Sequence, residues 1–285
     1  MFGITDIITD WFNGILINGI IANFTGMFNS LNDNVANIAD QVGRTPQVWN
    51  PAIFDMLRTL SETVIIPIAG IILTFILCYE LIHMVIERNN MSDFPTFEIY
   101  KWVFKAFVAV IILTNTFDIV MAVFDLAQHV VSSSSGVISG NLDTELALYN
   151  LTERLEELGT GALINLFIES TILRFAIHVM SIIVFIVIFG RMIEIYILVS
   201  IAPIPFSTII NKEWGTIGNN FLKSLFALAF QGFLIMVCVA IYAALAVPDF
   251  EDIQSSAWMT AGYTLLLCFM LFKTGSISKS IFGAS

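Results

Sequence analysis

Apolar residues run through this chain in long unbroken stretches, with most polar residues gathered in the gaps between them. The first long run, Val64 to Ile86, has 23 residues. A helix of that length covers about 34 Å at 1.5 Å per residue, enough for a hydrocarbon core of about 30 Å. Further runs extend from Trp102 to Ala127, Ile172 to Phe206, Phe221 to Val247 and Trp258 to Phe272. The pattern predicts an all-α polytopic membrane protein with about five transmembrane helices. The third run exceeds what one straight crossing needs, so it is either strongly tilted or broken at Pro203 and Pro205, where backbone donors are missing.

The segments between the runs have their own patterns. Residues 2–24 place Ile4, Ile7, Ile8, Trp11, Phe12, Ile15 and Leu16 at helical spacing, with Asp6, Asp10 and Asn13 on the other side. That spacing predicts an amphipathic helix. Its polar face is acidic, which favours packing against a partner or the protein's own bundle over attachment to anionic lipid. Residues 29–50 are rich in Asn and Asp, and Pro46 and Pro51 punctuate the approach to the first membrane helix. The chain therefore divides into an extracytoplasmic segment over 1–60, two membrane helices over 61–127, an extracytoplasmic loop over 128–171, and three membrane helices with a short tail over 172–285. Within the loop, a flexible Ser132 to Ser135 stretch precedes a short helix near Leu142 to Leu158. Gly136 and Gly140 have helix-dimer spacing but lie outside any apolar run, so they read as turn residues.

Composition agrees: 57% of the 285 residues are hydrophobic and 12% charged, where a soluble domain carries about 25% charged residues. Net charge is -11 and the 12 Lys and Arg are scattered, which excludes a basic nucleic-acid-binding face. Cys78, Cys238 and Cys268 lie inside apolar runs without paired spacing, so they read as small hydrophobes. No Lys or Arg precedes Arg44, which makes a removable secretory signal an unfavoured reading. Counted over alternate loops, one side of the membrane carries three Lys or Arg and the other seven. The positive-inside rule then places the N-terminus outside and the C-terminus in the cytoplasm.

Ionisable groups within apolar helices are costly and are expected to be paired, hydrated or near an end. The second helix carries Thr114, Asp118 and Asp125 on one face, and the third carries Arg174, His178 and Ser181. Depth matching sets Asp125 near Arg174 and Asp118 near His178. A second layer matches Glu80 and His83 with Arg191 and Glu194. Each layer reads either as a set of structural locks between helices or as the lining of a wet path. Glu80 and His83 have the spacing of half a di-metal carboxylate site, but no second Glu-x-x-His occurs, so neither metal nor any other cofactor is expected. No nucleophile elbow, phosphate loop or zinc-protease motif is present, and the chain does not read as an enzyme. Trp102, Trp214 and Trp258 lie near expected membrane borders, where interfacial anchors belong.

One stretch is more distinctive: Arg191-Met-Ile-Glu-Ile-Tyr-Ile-Leu-Val-Ser-Ile-Ala-Pro-Ile-Pro-Phe206, a polar linker through Trp214, then Phe221-Leu-Lys-Ser-Leu-Phe226. It resembles the TrbL-like family of polytopic cytoplasmic-membrane subunits of type IV secretion and conjugative transfer systems, in the form found on Gram-positive mobile elements. The resemblance implies a non-enzymatic subunit of a channel that moves a DNA–protein substrate. It also implies work with a bitopic wall-spanning protein and cytoplasmic ATPases and transient contact with the substrate. A homo-oligomer is expected because one five-helix bundle cannot enclose a pore wide enough for a nucleoprotein strand. Ala202, Pro203 and Pro205 carry over as a helix-ending feature. The external loop and tail are shorter than in larger relatives, which tells against substrate binding there. Two other classes stay open: a small-solute or ion transporter, although the halves show no internal repeat, and a structural membrane anchor for an extracellular partner.

Overall fold

The computed structural model describes residues 3–86, 96–135, 151–245 and 253–284. The Gly136–Gly140 turn and the first part of the Leu142–Leu158 helix lie outside the described residues. The order is α1 (Ile4–Gly43), α2 (Pro46–Trp49), α3 (Pro51–Leu60), a π-helical turn (Ser61–Ile65), α4 (Ile66–Ile86), α5 (Thr96–Thr114) and α6 (Thr116–Ser135). There follow α7 (Thr160–Ile201), α8 (Pro203–Thr208), α9 (Gly215–Leu245) and α10 (Ile253–Phe282). Residues 151–156 are also helical. Among the described residues there is no strand, and five helical stretches are long and apolar enough to cross a membrane: Ile7–Gly43, Pro51–Ile86, Thr160–Ile201, Gly215–Leu245 and Ala257–Phe282.

These five differ from the expected set at two places. The N-terminal amphipathic helix does not stop near residue 24. It continues through the Asn- and Asp-rich stretch to Gly43, as one helix of 40 residues. Leu16, Ile20, Phe24, Met27, Leu31, Ile38 and Val42 are all buried, a stripe at spacings of three, four and seven that runs from Leu16 to the end of the helix, while Ile7, Ile8, Trp11, Phe12 and Ile15 before it are exposed. One continuous buried stripe outweighs the low helix propensity of Asn and Asp, and Asn23, itself buried, lies on that face.

The second departure is the Trp102–Ala127 run, which is not one straight helix. Phe97–Thr114 and Thr116–Val131 meet at Asn115 with a bend of 66°. Three successive side chains turn back on the preceding carbonyls. Thr114 donates to Val110 O at 2.9 Å, Asn115 to Ile111 O at 2.8 Å, and Thr116 to Ile112 O and Leu113 O at 2.9 Å. Side chains that compete with the helical ladder in this way bend it. Helix α6 then runs on through Ser135, so the Ser132–Ser135 stretch is its last turn rather than a flexible link.

The Ile172–Phe206 run resolves as one continuous helix up to Ile201, with the interruption at Ala202. Pro203 and Pro205 have no N–H to give to Val199 and Ile201, so the chain tightens there and resumes as α8. Ala202 N donates to Val199 O at 3.4 Å and Phe206 N to Ala202 O at 3.1 Å. All of Pro203, Pro205, Phe206, Ser207 and Thr208 are buried.

The residues group into two compact units. One comprises Met1–Val42, Ser132–Phe189 and Leu234–Thr274; the other comprises Gly43–Val131, Gly190–Phe233 and Gly275–Ser285. In the first, Ile20, Phe24, Leu173, Ile177, Ile235 and Leu271 are almost wholly buried. In the second, Phe54, Phe117, Val120, Ile195, Tyr196, Phe206, Leu225 and Leu228 form a shared core. A smaller cluster of Ala69, Leu73, Ala109 and Leu113 joins α4 to α5.

Candidate functional site: polar groups among the apolar helices

In the second unit, the turn after α8 is built around Asn211 and Glu80. Asn211 Oδ1 accepts from the backbone N–H of Glu213 at 2.7 Å and Trp214 at 2.9 Å, so the side chain folds the reversal that admits α9. Its amide donates to Glu80 Oε1 at 2.8 Å, and Lys105 Nζ reaches the same oxygen at 2.6 Å. One carboxylate thus ties α4, α5 and the turn together. Trp214 stacks against Phe75 and Tyr79 with centroids 5.8 and 5.6 Å apart. Tyr79 in turn packs edge-on to His83. Gly218 is required by close approach, because a Cβ there would lie 2.5 Å from Pro205 O. Its N–H donates to Thr208 Oγ1 at 3.1 Å.

The expected layer of Glu80 and His83 with Arg191 and Glu194 therefore does not form as matched. Glu80 goes to Lys105 and Asn211, and Glu194 faces Lys279 at 3.8 Å. Arg191 is buried, and its Nε has no hydrogen-bond partner among the described residues.

At the bend between α5 and α6, Asp118 meets Arg58 at 3.6 Å, and Arg58 also binds Glu62 at 2.8 Å. The guanidinium lies 5.6 Å from the Phe117 ring centre. Arg58 and Glu62 are about half exposed and Asp118 is 65% exposed. Asp118 therefore finds its cation on the segment before the first apolar run, where depth matching had pointed to His178. Asp125 is exposed.

In the first unit, Arg174 is directed to α1 rather than to a carboxylate. Its Nη1 donates to Asn23 Oδ1 at 3.2 Å. The Asn23 amide donates to Ser170 Oγ at 3.0 Å and Thr171 Oγ1 at 2.9 Å. Eleven residues further along both helices, Asn34 donates to Ser181 Oγ at 2.7 Å. Eleven residues complete three turns, so the two rungs lie on one seam and α1 runs parallel to α7. Gly19 and Gly26 leave the room that Phe167 and Arg174 occupy. His178 is exposed. Trp258 Nε1 donates to Glu169, which links α10 to α7.

Lys105, Asn211, Arg58, Asn23 and Asn34 were not foreseen as partners. The signal was present only for some: Asn two residues ahead of Glu-Trp reads as an Asx turn, and the spacing of eleven recurs in Asn23/Asn34 and Ser170/Ser181. Among the described residues, no group of three or more His, Cys, Asp or Glu is placed to hold a metal ion.

Residues 31–203 match the sequence model of the family described as TrbL/VirB6 plasmid conjugal transfer like protein. The chain belongs to this TrbL/VirB6 family. The match covers more than half of the chain, from the second half of α1 to the proline break. Within TrbL/VirB6 terms the chain is a multi-pass membrane subunit of a conjugal transfer, or type IV secretion, system. The TrbL/VirB6 region contains Arg58, Glu80, Lys105, Asp118, Arg174 and Arg191, so most of the polar groups described above fall inside it. No curated protein and no solved structure matched the chain.

Proposed function

We propose that this chain is a non-enzymatic channel or scaffold subunit of a conjugative type IV secretion machine, one that helps move a DNA–protein substrate through the bacterial cytoplasmic membrane. The observation that carries this reading is the TrbL/VirB6 match over residues 31–203 on a chain with five membrane-length helices. The polar groups support a scaffold role. Glu80, Arg58 and Asn23 each join elements distant in sequence, and such joints hold a membrane bundle in one arrangement. A single bundle of about five helices leaves no opening for a nucleoprotein strand, so the subunit acts in several copies. Its partners in this reading are a bitopic wall-spanning protein and cytoplasmic ATPases, with the N-terminus outside and the C-terminus in the cytoplasm.

The test is a donor strain lacking this chain, mated under standard conditions. Transfer should fall at least a thousandfold and return when the chain is supplied in trans. Affinity purification in mild detergent should bring down the ATPases and the wall-spanning protein with a multi-copy complex. Undiminished transfer from the deletion donor would end this reading.

A further inference from the structure

Helices α1 and α7 lie side by side in register, Asn23 against Ser170 and Asn34 against Ser181. Residues 29–40 of α1 therefore stand level with residues 176–187 of α7. At that level the two helices turn opposite chemistry outward. On α7 the exposed positions, His178 apart, are Val179, Ile182, Phe185 and Ile186, the last three more than half exposed. On α1 they are Asn29, Asp33, Ala36, Asn37 and Asp40, at spacings of three and four. This polar stripe lies opposite the buried Leu31 and Ile38. Asp40 also accepts from the Gln41 amide at 3.1 Å, a bond that leaves its charge in place.

One depth thus needs two surroundings. The outward residues of α7 belong to a helix long and apolar enough to cross a membrane, and they suit hydrocarbon. Asp33 and Asp40 do not. Carboxylates turned to lipid are costly, and at membrane depth such groups face a bundle interior or water. The interior of this unit is already met by the opposite, buried face of α1. We propose, on the channel reading above, that the outward polar face of α1 lines a water-filled path at membrane depth, closed by the same face of further copies of this chain. Cyclic symmetry sets one face of every copy around the axis, so a single polar stripe per chain is enough to line it. Helix α1 is then part of the membrane bundle rather than an extracytoplasmic segment. Residues 29–40 cover about 18 Å of a hydrocarbon core of about 30 Å. They include no Lys or Arg, so the lining offers a polyanionic strand no counter-charge and does not grip it.

The test reads water access to single cysteines in donor-cell membranes, in the full chain without Cys78, Cys238 and Cys268. Asn29→Cys, Asp33→Cys, Asn37→Cys and Asp40→Cys are compared with Val179→Cys, Ile182→Cys and Ile186→Cys, all at exposed positions. A membrane-impermeant maleimide is supplied to both faces of opened membranes, and each rate is divided by that of the same variant in detergent. The α1 positions should react at least tenfold faster than the α7 positions. Equal protection of both sets would mean that lipid or packed protein covers the α1 face, and equal reaction would put this level outside the hydrocarbon. Either result overturns the path. A long, flexible bis-maleimide should join neighbouring copies at Asn37→Cys and not at Ile182→Cys, and monomer alone at Asn37→Cys overturns the shared boundary. Undiminished mating from the deletion donor would end the channel reading, whereas a protected α1 face with mating lost would end only the path.

Discussion

Glu80 receives two donors on one oxygen, and its side chain is only 17% exposed. Removing a part-buried acceptor leaves both donors unsatisfied, which costs more than the bonds contribute when intact. Glu80→Ala should therefore destabilise the second unit by about 2 kcal/mol. Glu80→Gln, which keeps an acceptor for Asn211 but loses the charge facing Lys105, should cost about half as much. Fluorescence-detected thermal unfolding in detergent reads both, and two variants as stable as the parent chain would refute the joint. Arg58 and Asp118 are a different case. Their pairing is half exposed, and exposed ion pairs are worth only about 0–1 kcal/mol, so their contribution to stability is small beside that of Glu80.

At the scale of single elements, the bend at Asn115 has a local chemical cause, which makes it removable. Replacing Asn115 with Leu and Thr116 with Val deletes two of the three back-bonding side chains and keeps the run apolar. Spin labels at Lys101 and Val130, both exposed, then report the angle. Arms of about 21 Å at 1.5 Å per residue should move their ends apart by about 7 Å as the bend straightens. An unchanged distance would mean that packing in the Phe54–Phe117–Val120 core imposes the bend, and that the side chains merely follow it. Helix α1 shows the opposite balance. Its local propensities are poor, and its buried stripe together with the Asn23 and Asn34 rungs keeps it helical.

For the whole molecule, helix length sets a constraint that composition alone does not. Helix α7 has 42 residues and is therefore about 63 Å long, twice the hydrocarbon core. At the tilts membrane helices adopt, up to about 40°, it still rises about 48 Å, so part of it leaves the hydrocarbon. Single cysteines placed along its exposed positions, from Ile164 to Ile197, in a background without Cys78, Cys238 and Cys268, should show one protected window. With a membrane-impermeant maleimide supplied to both faces of opened membranes, that window should cover about 20 residues. Protection along the entire helix would mean that protein, rather than lipid, covers its ends.

The sequence by itself determined what depends on composition and period. Unbroken apolar runs dictate helices in a membrane, because backbone groups in hydrocarbon must be satisfied within the helix. The Arg191–Phe206 stretch pointed to the right family, whereas Pro203 and Pro205 left tilt and break as alternatives for the long third run, which ends at Ile201. The tertiary structure alone decided which polar groups meet. Depth matching along separate helices cannot see that Arg58 lies beside Asp118, that Glu80 prefers Lys105 and Asn211, or that Arg174 is bound by an amide of α1. Those choices depend on the bend at Asn115, on the reversal after α8 and on the parallel run of α1 along α7. Each brings together residues from distant parts of the chain, and hydropathy along one chain has no term for such contacts.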